Sequence, residues 1–442
     1  MAASVFDSPL HAQLFPGGET TRLFSDSAAV RAMLLVEGAL AKAQGAQGII
    51  PEISAAAIQR ATMEVQIDPA GLARGVGQNG VVVPGLVAAF RSEMNAPEHA
   101  QYVHWGATSQ DIMDTGLMLR LRQVLAHAET LLKDILQQMG AQARTHAVLP
   151  LIARTYGQHA VPTSWGAVLA GWGMPLCTAL EDLGPLRRNN LLVSLSGAAG
   201  TASVWGDKTP RLRKDLAEAL GLEDPGRCWH TDRTPLLRIV DWLCRLCAPL
   251  LAMGETLLQL TSSDVAEVSI GTVGGSSTMP QKQNPVQACA LVALARQTTA
   301  LQAGLTQTAG HAHQRDGAAW LGEWIALPPL VLGAMSCLQI ARDIMTDLSP
   351  NAAQMQRGLR DGLQLYHAEA LSFALTQQMS RPQAQAAVKS LCQQAVATNT
   401  TLPDLAHAAY PDVAPTLFDP AHALGQAPAE ARQFAAHVKG ML

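Results

Sequence analysis

The sequence has little charge and few aromatic rings: Asp, Glu, Lys and Arg make up 15% of its 442 residues, and Phe, Trp and Tyr 4%. The formal net charge is −4 and no basic cluster is present, which argues against a nucleic-acid partner. A small anionic substrate needs only a few local cations, so this composition does not exclude one.

Cysteines and metal-ligand patterns are also sparse. The seven cysteines are odd in number and irregularly spaced, so they do not form a disulfide framework. Cys244 and Cys247 form a CxxC pair inside a helical pattern, which favours buried thiols over a metal or redox site. His311 and His313 lack a carboxylate or thiol at ligand spacing, so no metal is predicted.

The chain also lacks a basic N-terminal segment followed by an apolar run, which predicts a cytoplasmic protein. Residues 160–180 and 324–341 carry no charge and approach the roughly twenty residues of a membrane span, but prolines are expected to interrupt both. No membrane association is predicted.

The two uncharged stretches and residues 286–314, whose one charge is Arg296, are expected to form helices that are apolar on nearly every side. A bundle completed by other subunits would bury several such helices.

Helix-forming residues dominate what is present. Alanine, leucine and glutamine are abundant and β-branched alternation is scarce, so the predicted fold class is all-α. The length allows two or three domains. We expect an N-terminal helical domain over 1–110, a central helical bundle domain over 111–348 and a C-terminal helical domain over 349–442.

The segment 271–285, GTVGGSSTMPQKQNP, has the composition of a mobile loop over an anion site. Its glycines relax the backbone, and Lys282 is its one charged residue. Asn284 and Pro285 are typical of a helix start, with Asn as N-cap and Pro at the first helical position. A Gly/Ser surface linker is the alternative, although Met279 inside the segment is not a linker residue.

A long amphipathic helix is predicted after residue 108. Apolar residues from Leu117 to Met139 follow helical spacing, and Thr108 to Asp111 form a step that resembles a capping box. Hydroxyls and free amides at a helix N-terminus can bind a carboxylate. The alternative is that Thr108 and Ser109 only cap the helix.

Two further groups are candidates for substrate contact. Thr155, Gln158 and His159 place a hydroxyl, an amide and an imidazole within two turns, leading into an apolar helix. A structural histidine is the alternative interpretation of His159. Arg315 is a candidate for a bidentate carboxylate clamp.

Three blocks, 103–115, 154–166 and 275–285, resemble the signature of the fumarase/aspartase superfamily in order and spacing. The resemblance covers nearly the whole chain. It implies an all-α fold of three domains, with five long central helices that four subunits combine into one core. It also implies a homotetramer whose active sites take the three blocks from three different subunits.

The resemblance implies roles for individual residues. Ser276 and His159 are expected to transfer the proton, with Lys282 as the third catalytic residue. The expected substrate-binding residues are His104, Thr108, Ser109, Gln110, Thr155, Gln158, Ser277, Met279, Asn284 and Arg315. Gln281 and Gln283 stand where the commoner family wording has basic or ionisable residues. No metal or nucleotide cofactor is expected, because the carboxylates of a small polycarboxylate substrate act as electron sinks.

Within the superfamily, HWGATSQDIMDT resembles both the adenylosuccinate lyases and the bacterial carboxymuconate cycloisomerases. The wording GATSQD, Gln158 before His159, Trp229-His230-Thr231 and the FSD at residues 24–26 favour the cycloisomerases. Those enzymes belong to aromatic catabolism, and the implied reaction closes a tricarboxylate diene into a γ-lactone. An adenylosuccinate lyase-type β-elimination that releases fumarate is the first alternative. A non-catalytic helical scaffold is the second.

Overall fold

The structure is a computed structural model that describes residues 4–271, 274–275, 278–279 and 281–442. It is 68% helix and 5% strand, which confirms the all-α prediction.

The α-helices are α1 Gly18–Leu23, α2 Asp26–Ala46, α3 Glu52–Glu64, α4 Ala73–Asn79, α5 Val83–Glu93, α6 Pro97–Ala100, α7 Ser109–Thr145, α8 Trp165–Asn190, α9 Thr209–Leu220, α10 Thr234–Leu260, α11 Val286–Gln307, α12 Gly317–Asp347, α13 Ala352–Arg360, α14 Ala368–Leu375, α15 Arg381–Thr398, α16 Leu402–Ala409 and α17 Ala427–Met441. The strands are β1 Pro150–Thr155, β2 Gln158–Ser164, β3 Val268–Ile270 and β4 Leu348–Pro350. Each strand pairs antiparallel with one other, β1 with β2 and β3 with β4.

The chain divides into two compact units. Unit 1 comprises Met1–Leu131, Ala179–Ala248 and Ala293–Ile340, and unit 2 comprises Leu132–Thr178, Pro249–Val292 and Ala341–Leu442. The five longest helices, α7, α8, α10, α11 and α12, contribute residues to both units. The three-domain division at 110 and 348 stays a prediction.

Helix α7 forms where its apolar spacing predicts it. The side chains of Leu121, Val124 and Leu125 in unit 1 are fully buried, as are those of Ile135 and Met139 in unit 2. The N-terminus of α7 carries half of a capping box, because the Asp111 carboxylate accepts a hydrogen bond from the Thr108 backbone N–H at 3.1 Å.

Residues 150–164 form a β-hairpin, which corrects the prediction that Thr155, Gln158 and His159 lie within two helical turns. Thr155 pairs with Gln158 across a two-residue turn of Tyr156 and Gly157, whose φ angles are 52° and 75°. Positive φ at both positions defines the tight hairpin turn that matches strand twist. The alternation in this short segment is weak, and the apolar run from Trp165 onward conceals where the helix starts.

Pro162 interrupts the first apolar stretch as expected, because it lies in β2, but the other prolines do not end their helices. Helix α8 starts only at Trp165 but continues through Pro175, and α12 contains Pro328 and Pro329. A proline removes one helical hydrogen bond, and burial of the rest of the helix offsets that loss. Among the described helices, α12 is long and apolar enough to cross a membrane, but 67% of its apolar window is buried inside the protein, as in a core helix of a soluble protein.

Helix α11 differs from its prediction at both ends. The helix begins at Val286 instead of Pro285, and the Asn284 backbone exchanges two 2.9 Å hydrogen bonds with Gly274. It ends at Gln307, seven residues before the predicted Gln314.

The CxxC pair consists of buried thiols, as interpreted from the sequence. Cys244 is 6% exposed and Cys247 1%. Burial raises the pKa of the Cys244 thiol to about 12. A hydrogen bond with Cys337 and burial raise the pKa of the Cys247 thiol. Both thiols are therefore protonated at neutral pH and fill space in unit 1.

Candidate active site

Unit 1 brings together three of the predicted substrate-binding residues at the start of α7. The Arg315 guanidinium donates from Nε to Gln110 Oε1 at 2.8 Å and from Nη2 to Thr108 Oγ1 at 3.4 Å. It also donates to the Ala198 carbonyl at 3.3 Å. Ser109 is the first residue of the helix beside them. These contacts place a half-buried cation next to hydroxyls and amides, which is the arrangement of a carboxylate site.

A buried group of charges lies one turn further along α7. Arg233 forms two-point contacts with both Asp114 (2.8 and 3.0 Å) and Glu323 (2.7 and 2.8 Å), and all three are at most 2% exposed. The Gln110 amide donates to Asp114 Oδ2 at 3.2 Å. Gln110 thereby links the buried charges to Arg315. Its two hydrogen bonds fix the orientation of its side-chain amide.

Asp111 and His230 form a second buried pair in unit 1, with His230 Nε2 2.8 Å from Asp111 Oδ1. Burial disfavours the imidazolium, but hydrogen bonds and Coulomb attraction to Asp111 and to Cys228 outweigh it and raise the pKa of His230 to about 9. Asp111 also accepts hydrogen bonds from the Ser196 and Gly197 backbone N–H groups at 2.8 and 2.9 Å. This pair therefore anchors the 194–197 segment against the start of α7.

His104 is held by a carboxylate from a different helix. Its Nδ1 lies 2.7 Å from Oε1 of Glu37, which is on α2 and 2% exposed. The backbone of His104 has φ 62°, a conformation that costs a non-glycine residue free energy. A strained backbone and a buried acceptor together fix the imidazole orientation.

In unit 2, Thr155, Gln158 and His159 are exposed at and beside the hairpin tip, and Tyr156 at the tip is fully exposed. His159 pairs across the hairpin with Arg154, whose guanidinium contacts both carboxylate oxygens of Glu267 at 2.9 and 3.1 Å. Glu267 directly precedes β3, which leads into the 271–285 segment. This fork ties the second sequence block to the strand that enters the third.

The third block also lies in unit 2. Met279 and Lys282 are exposed, and the Lys282 backbone N–H donates to the Met279 carbonyl at 3.0 Å. The Lys282 ammonium makes no ion pair with the residues that the structure describes. Asn284 is half-buried in its bridge to Gly274. Ser276 and Ser277 lie outside the described residues.

Sequence reasoning missed the partners of these residues. Glu37, Arg233, Glu267 and Glu323 lie far along the chain from what they contact, and Asp114 lies far from Arg233, so no local spacing indicates these contacts. Within the described parts of the chain, no three His, Cys, Asp or Glu side chains are grouped to hold a metal ion.

The helical fold is that of a lyase. The family model described as "Lyase" matches residues 18–299, and the chain belongs to the fumarase/aspartase superfamily of enzymes. The chain is 36% identical to 3-carboxy-cis,cis-muconate cycloisomerase of Pseudomonas aeruginosa, over 92% of this chain and 91% of that protein. It is 33% identical to nitrosuccinate lyase of Streptomyces davaonensis, over 96% and 94%.

Two solved structures are similar to this chain over nearly its whole length. The crystal structure of 3-carboxy-cis,cis-muconate lactonizing enzyme from Pseudomonas putida matches with a TM-score of 0.91 and 32% identity, covering 98% of this chain and 99% of that one. The crystal structure of fumarate lyase from Mesorhizobium matches with a TM-score of 0.88 and 28% identity, covering 95% and 97%.

Proposed function

We propose that the protein is a cycloisomerase that converts 3-carboxy-cis,cis-muconate to the carboxymuconolactone in the protocatechuate branch of aromatic catabolism. The observation that carries this is the likeness, over nearly the full length, to relatives of that name from several bacteria. The Arg315–Gln110–Thr108 cluster fits it, because a polycarboxylate needs donors that are already oriented.

The reaction is an intramolecular addition. A carboxylate oxygen of the substrate forms a C–O bond to one carbon of a double bond, and the π electrons move onto the neighbouring carbon and its carboxylate. That carbon then takes a proton and becomes C–H. The trianion becomes a dianion, so one proton is taken up per turnover and no oxidant or reductant is needed. The reverse reaction is a β-elimination.

Two tasks fall to the protein. The first is to stabilise the extra negative charge on the carboxylate that receives the π electrons, which we assign to Lys282, Asn284, Thr108 and Ser109. Oriented donors in such a site supply several kcal/mol. The second is to deliver the proton, which we assign to His159 together with Ser276. A positioned proton donor contributes roughly 10²–10⁴-fold. Arg315 and His104 hold the remaining carboxylates.

We propose that the active sites form between subunits of a homotetramer in the cytoplasm. His159 and Lys282 are exposed in the single chain, where neither is enclosed as a catalytic group requires. Helix α11 exposes Val286, Cys289, Ala293 and Ala300, with the charged Arg296 on the same face. Contact with a second copy of this chain would remove the apolar side chains of this face from water, which is favourable.

The test is a spectrophotometric assay with the purified tetrameric or monomeric species, separated by size. Lactonisation destroys the conjugated diene, so ultraviolet absorbance falls as substrate is consumed. We expect His159→Gln to lower kcat by at least about a hundredfold. A fully active monomer, or unchanged activity in a variant that lacks both His159 and Ser276, would refute the proposed site.

A β-elimination of nitrosuccinate is the second candidate, because the nitrosuccinate lyase match also spans nearly the whole chain. Parallel assays with carboxymuconate, nitrosuccinate and adenylosuccinate distinguish the reactions. Release of nitrite or fumarate without lactone formation would replace the cycloisomerase assignment. Turnover of none of the three, by a correctly folded protein, would favour a non-catalytic scaffold.

A further inference from the structure

A cavity of ≈ 680 Å³ lies inside unit 1, separate from the residues assigned to the substrate above. Helices α2, α7 and α12 form its wall, together with α4 and the segment just before α4. Most of the wall is apolar: Met33, Leu72, Met113, Leu117, Trp320 and Trp324 all line it. A cavity of this size and lining is typical of a small-molecule site.

One cation faces this apolar space without a counter-ion. Arg120 lines the cavity, and its Nε is buried with no hydrogen-bond partner. Its guanidinium lies 5.4 Å from the Phe24 ring centroid, and Nη1 donates to the Leu23 carbonyl at a long 3.4 Å. Among the described residues no carboxylate pairs with it. Burial lowers the pKa of Arg120 to about 10, which leaves it charged at neutral pH.

The other buried charges at the wall limit what can bind. Asp114 and Glu323 also line the cavity, and both are already held by the single cation Arg233. Among the described lining residues, Arg120 is then the one cation left for a ligand, so a second or third carboxylate on any occupant would lack a positive partner. Asp26, the remaining acidic residue of the wall, is exposed. The cavity therefore suits one anionic group beside Arg120 and disfavours a polycarboxylate.

The apolar part of the wall favours a ring. Trp320 and Trp324 pack edge to face with ring centroids 5.1 Å apart, and Met33 and Met113 supply polarizable sulfur. We propose that the cavity binds an aromatic monocarboxylate, with its carboxylate on Arg120 and its ring system against Trp320 and Trp324. This ligand class differs from the tricarboxylate substrate, so the inference does not depend on the proposed function.

Isothermal titration calorimetry on the full-length protein tests this with 2-naphthoate and with its neutral analogue 2-naphthalenemethanol. We expect 2-naphthoate to bind one site per chain at least about tenfold more tightly, since a charge-assisted hydrogen bond discriminates by that much. Equal affinity for the two compounds, or no binding at millimolar concentration, would overturn the proposal.

Variants locate the site. Arg120→Met should weaken 2-naphthoate binding at least about tenfold and leave 2-naphthalenemethanol unaffected. The matched control is Arg122→Met on the same helix, because Arg122 bonds the backbone carbonyls of Leu220 and Gly221 and does not line the cavity. Leu117→Trp, which retains Arg120 and fills the cavity, should weaken both compounds. It decides the matter if Arg120→Met does not fold.

Competition separates this cavity from the substrate site. A saturating tricarboxylate, benzene-1,2,4-tricarboxylate, should leave the 2-naphthoate affinity unchanged. Complete displacement by the tricarboxylate, or full binding in both Arg120→Met and Leu117→Trp, would place the ligand elsewhere and refute the assignment. Because the readout is binding, a failure here is distinguishable from a failure of the cycloisomerase assay.

Discussion

Glu37 Oε1 lies 2.7 Å from Nδ1 of His104, although the two residues are 67 positions apart. The second carboxylate oxygen of Glu37 is buried without a hydrogen-bond partner. The contact with the imidazole is therefore what stabilises this buried carboxylate. Since Nδ1 is engaged, we propose that Nε2 is the ring nitrogen that contacts a substrate carboxylate. Glu37 is therefore a positioning residue for His104.

Replacing Glu37 with Gln keeps the shape and removes the charge. We expect Glu37→Gln to lower kcat/KM by about tenfold, mainly through KM, because a neutral amide holds the His104 imidazole more weakly than a carboxylate does. The measurement is steady-state kinetics with carboxymuconate. Glu93→Gln, at an exposed position, is the control and should change neither parameter. An unaltered KM in Glu37→Gln would show that the charge of Glu37 does not position His104 for the substrate.

Arg315 is bound by Gln110 and Thr108 through its planar fork. We expect Arg315→Lys to lower kcat/KM by about a hundredfold, because an ammonium cannot contact Gln110, Thr108 and a substrate carboxylate together. The control is Arg22→Lys, whose side chain is 82% exposed. Wild-type kinetics in Arg315→Lys would show that Arg315 is structural.

The fold was predictable where apolar residues recur at helical spacing. The spacing in α7 predicts a helix from Ser109, and the structure confirms it. The hairpin at 150–164 was missed, because its turn of Tyr156 and Gly157 lacks the usual Asn-Gly signal and its second strand merges into the apolar run of α8. Proline positions misled the prediction for α12, where burial overrides the missing hydrogen bonds.

The sequence predicted the candidate site for residues whose own side chains can bind a carboxylate. Thr108, Gln110 and Arg315 were named from the sequence, and the structure brings them together. Their supports were not predictable, because Glu37 and Glu323 approach their partners through folding and have no spacing in common with them. The roles of the predicted site residues, including those of Ser276 and Ser277, stay predictions.

The Asp111–His230 pair makes stability depend on pH. The pKa of His230 is raised to about 9 in the folded protein, against about 6.5 when unfolded. The folded state therefore binds the proton more tightly, so this stabilisation is fully present below about pH 6.5 and is lost as pH rises through about 9. The contribution is about 3 kcal/mol.

Urea denaturation between pH 6 and pH 10 measures this dependence. We expect the free energy of unfolding to decrease across the window in the wild type and to change much less in His230→Gln. The Cys228 thiol titrates beside His230, which lowers its pKa despite burial, so Cys228→Ser is needed as a companion variant. A decrease that persists in His230→Gln would assign the effect to other groups.

The Arg233 trio should be the most sensitive buried group in unit 1. Arg233→Met leaves Asp114 and Glu323 buried without their cation, and breaking a buried pair in this way costs about 3–5 kcal/mol. Glu323→Gln should cost less, because Arg233 then keeps one full carboxylate. Burial already raises the pKa of Glu323 against the opposing effect of Arg233, so its neutral form is the more accessible one.

Denaturation of Arg233→Met, Glu323→Gln and the double variant tests this order, with Arg245→Met as the control because its ion pairs are on the surface. In the double variant Asp114 is the one charge left, so the loss should be smaller than the sum of the two single losses. Gln110 depends on Asp114 for one of its hydrogen bonds, so substrate affinity should fall together with stability. Additive losses with unchanged substrate affinity would show that the trio is independent of the Arg315 site.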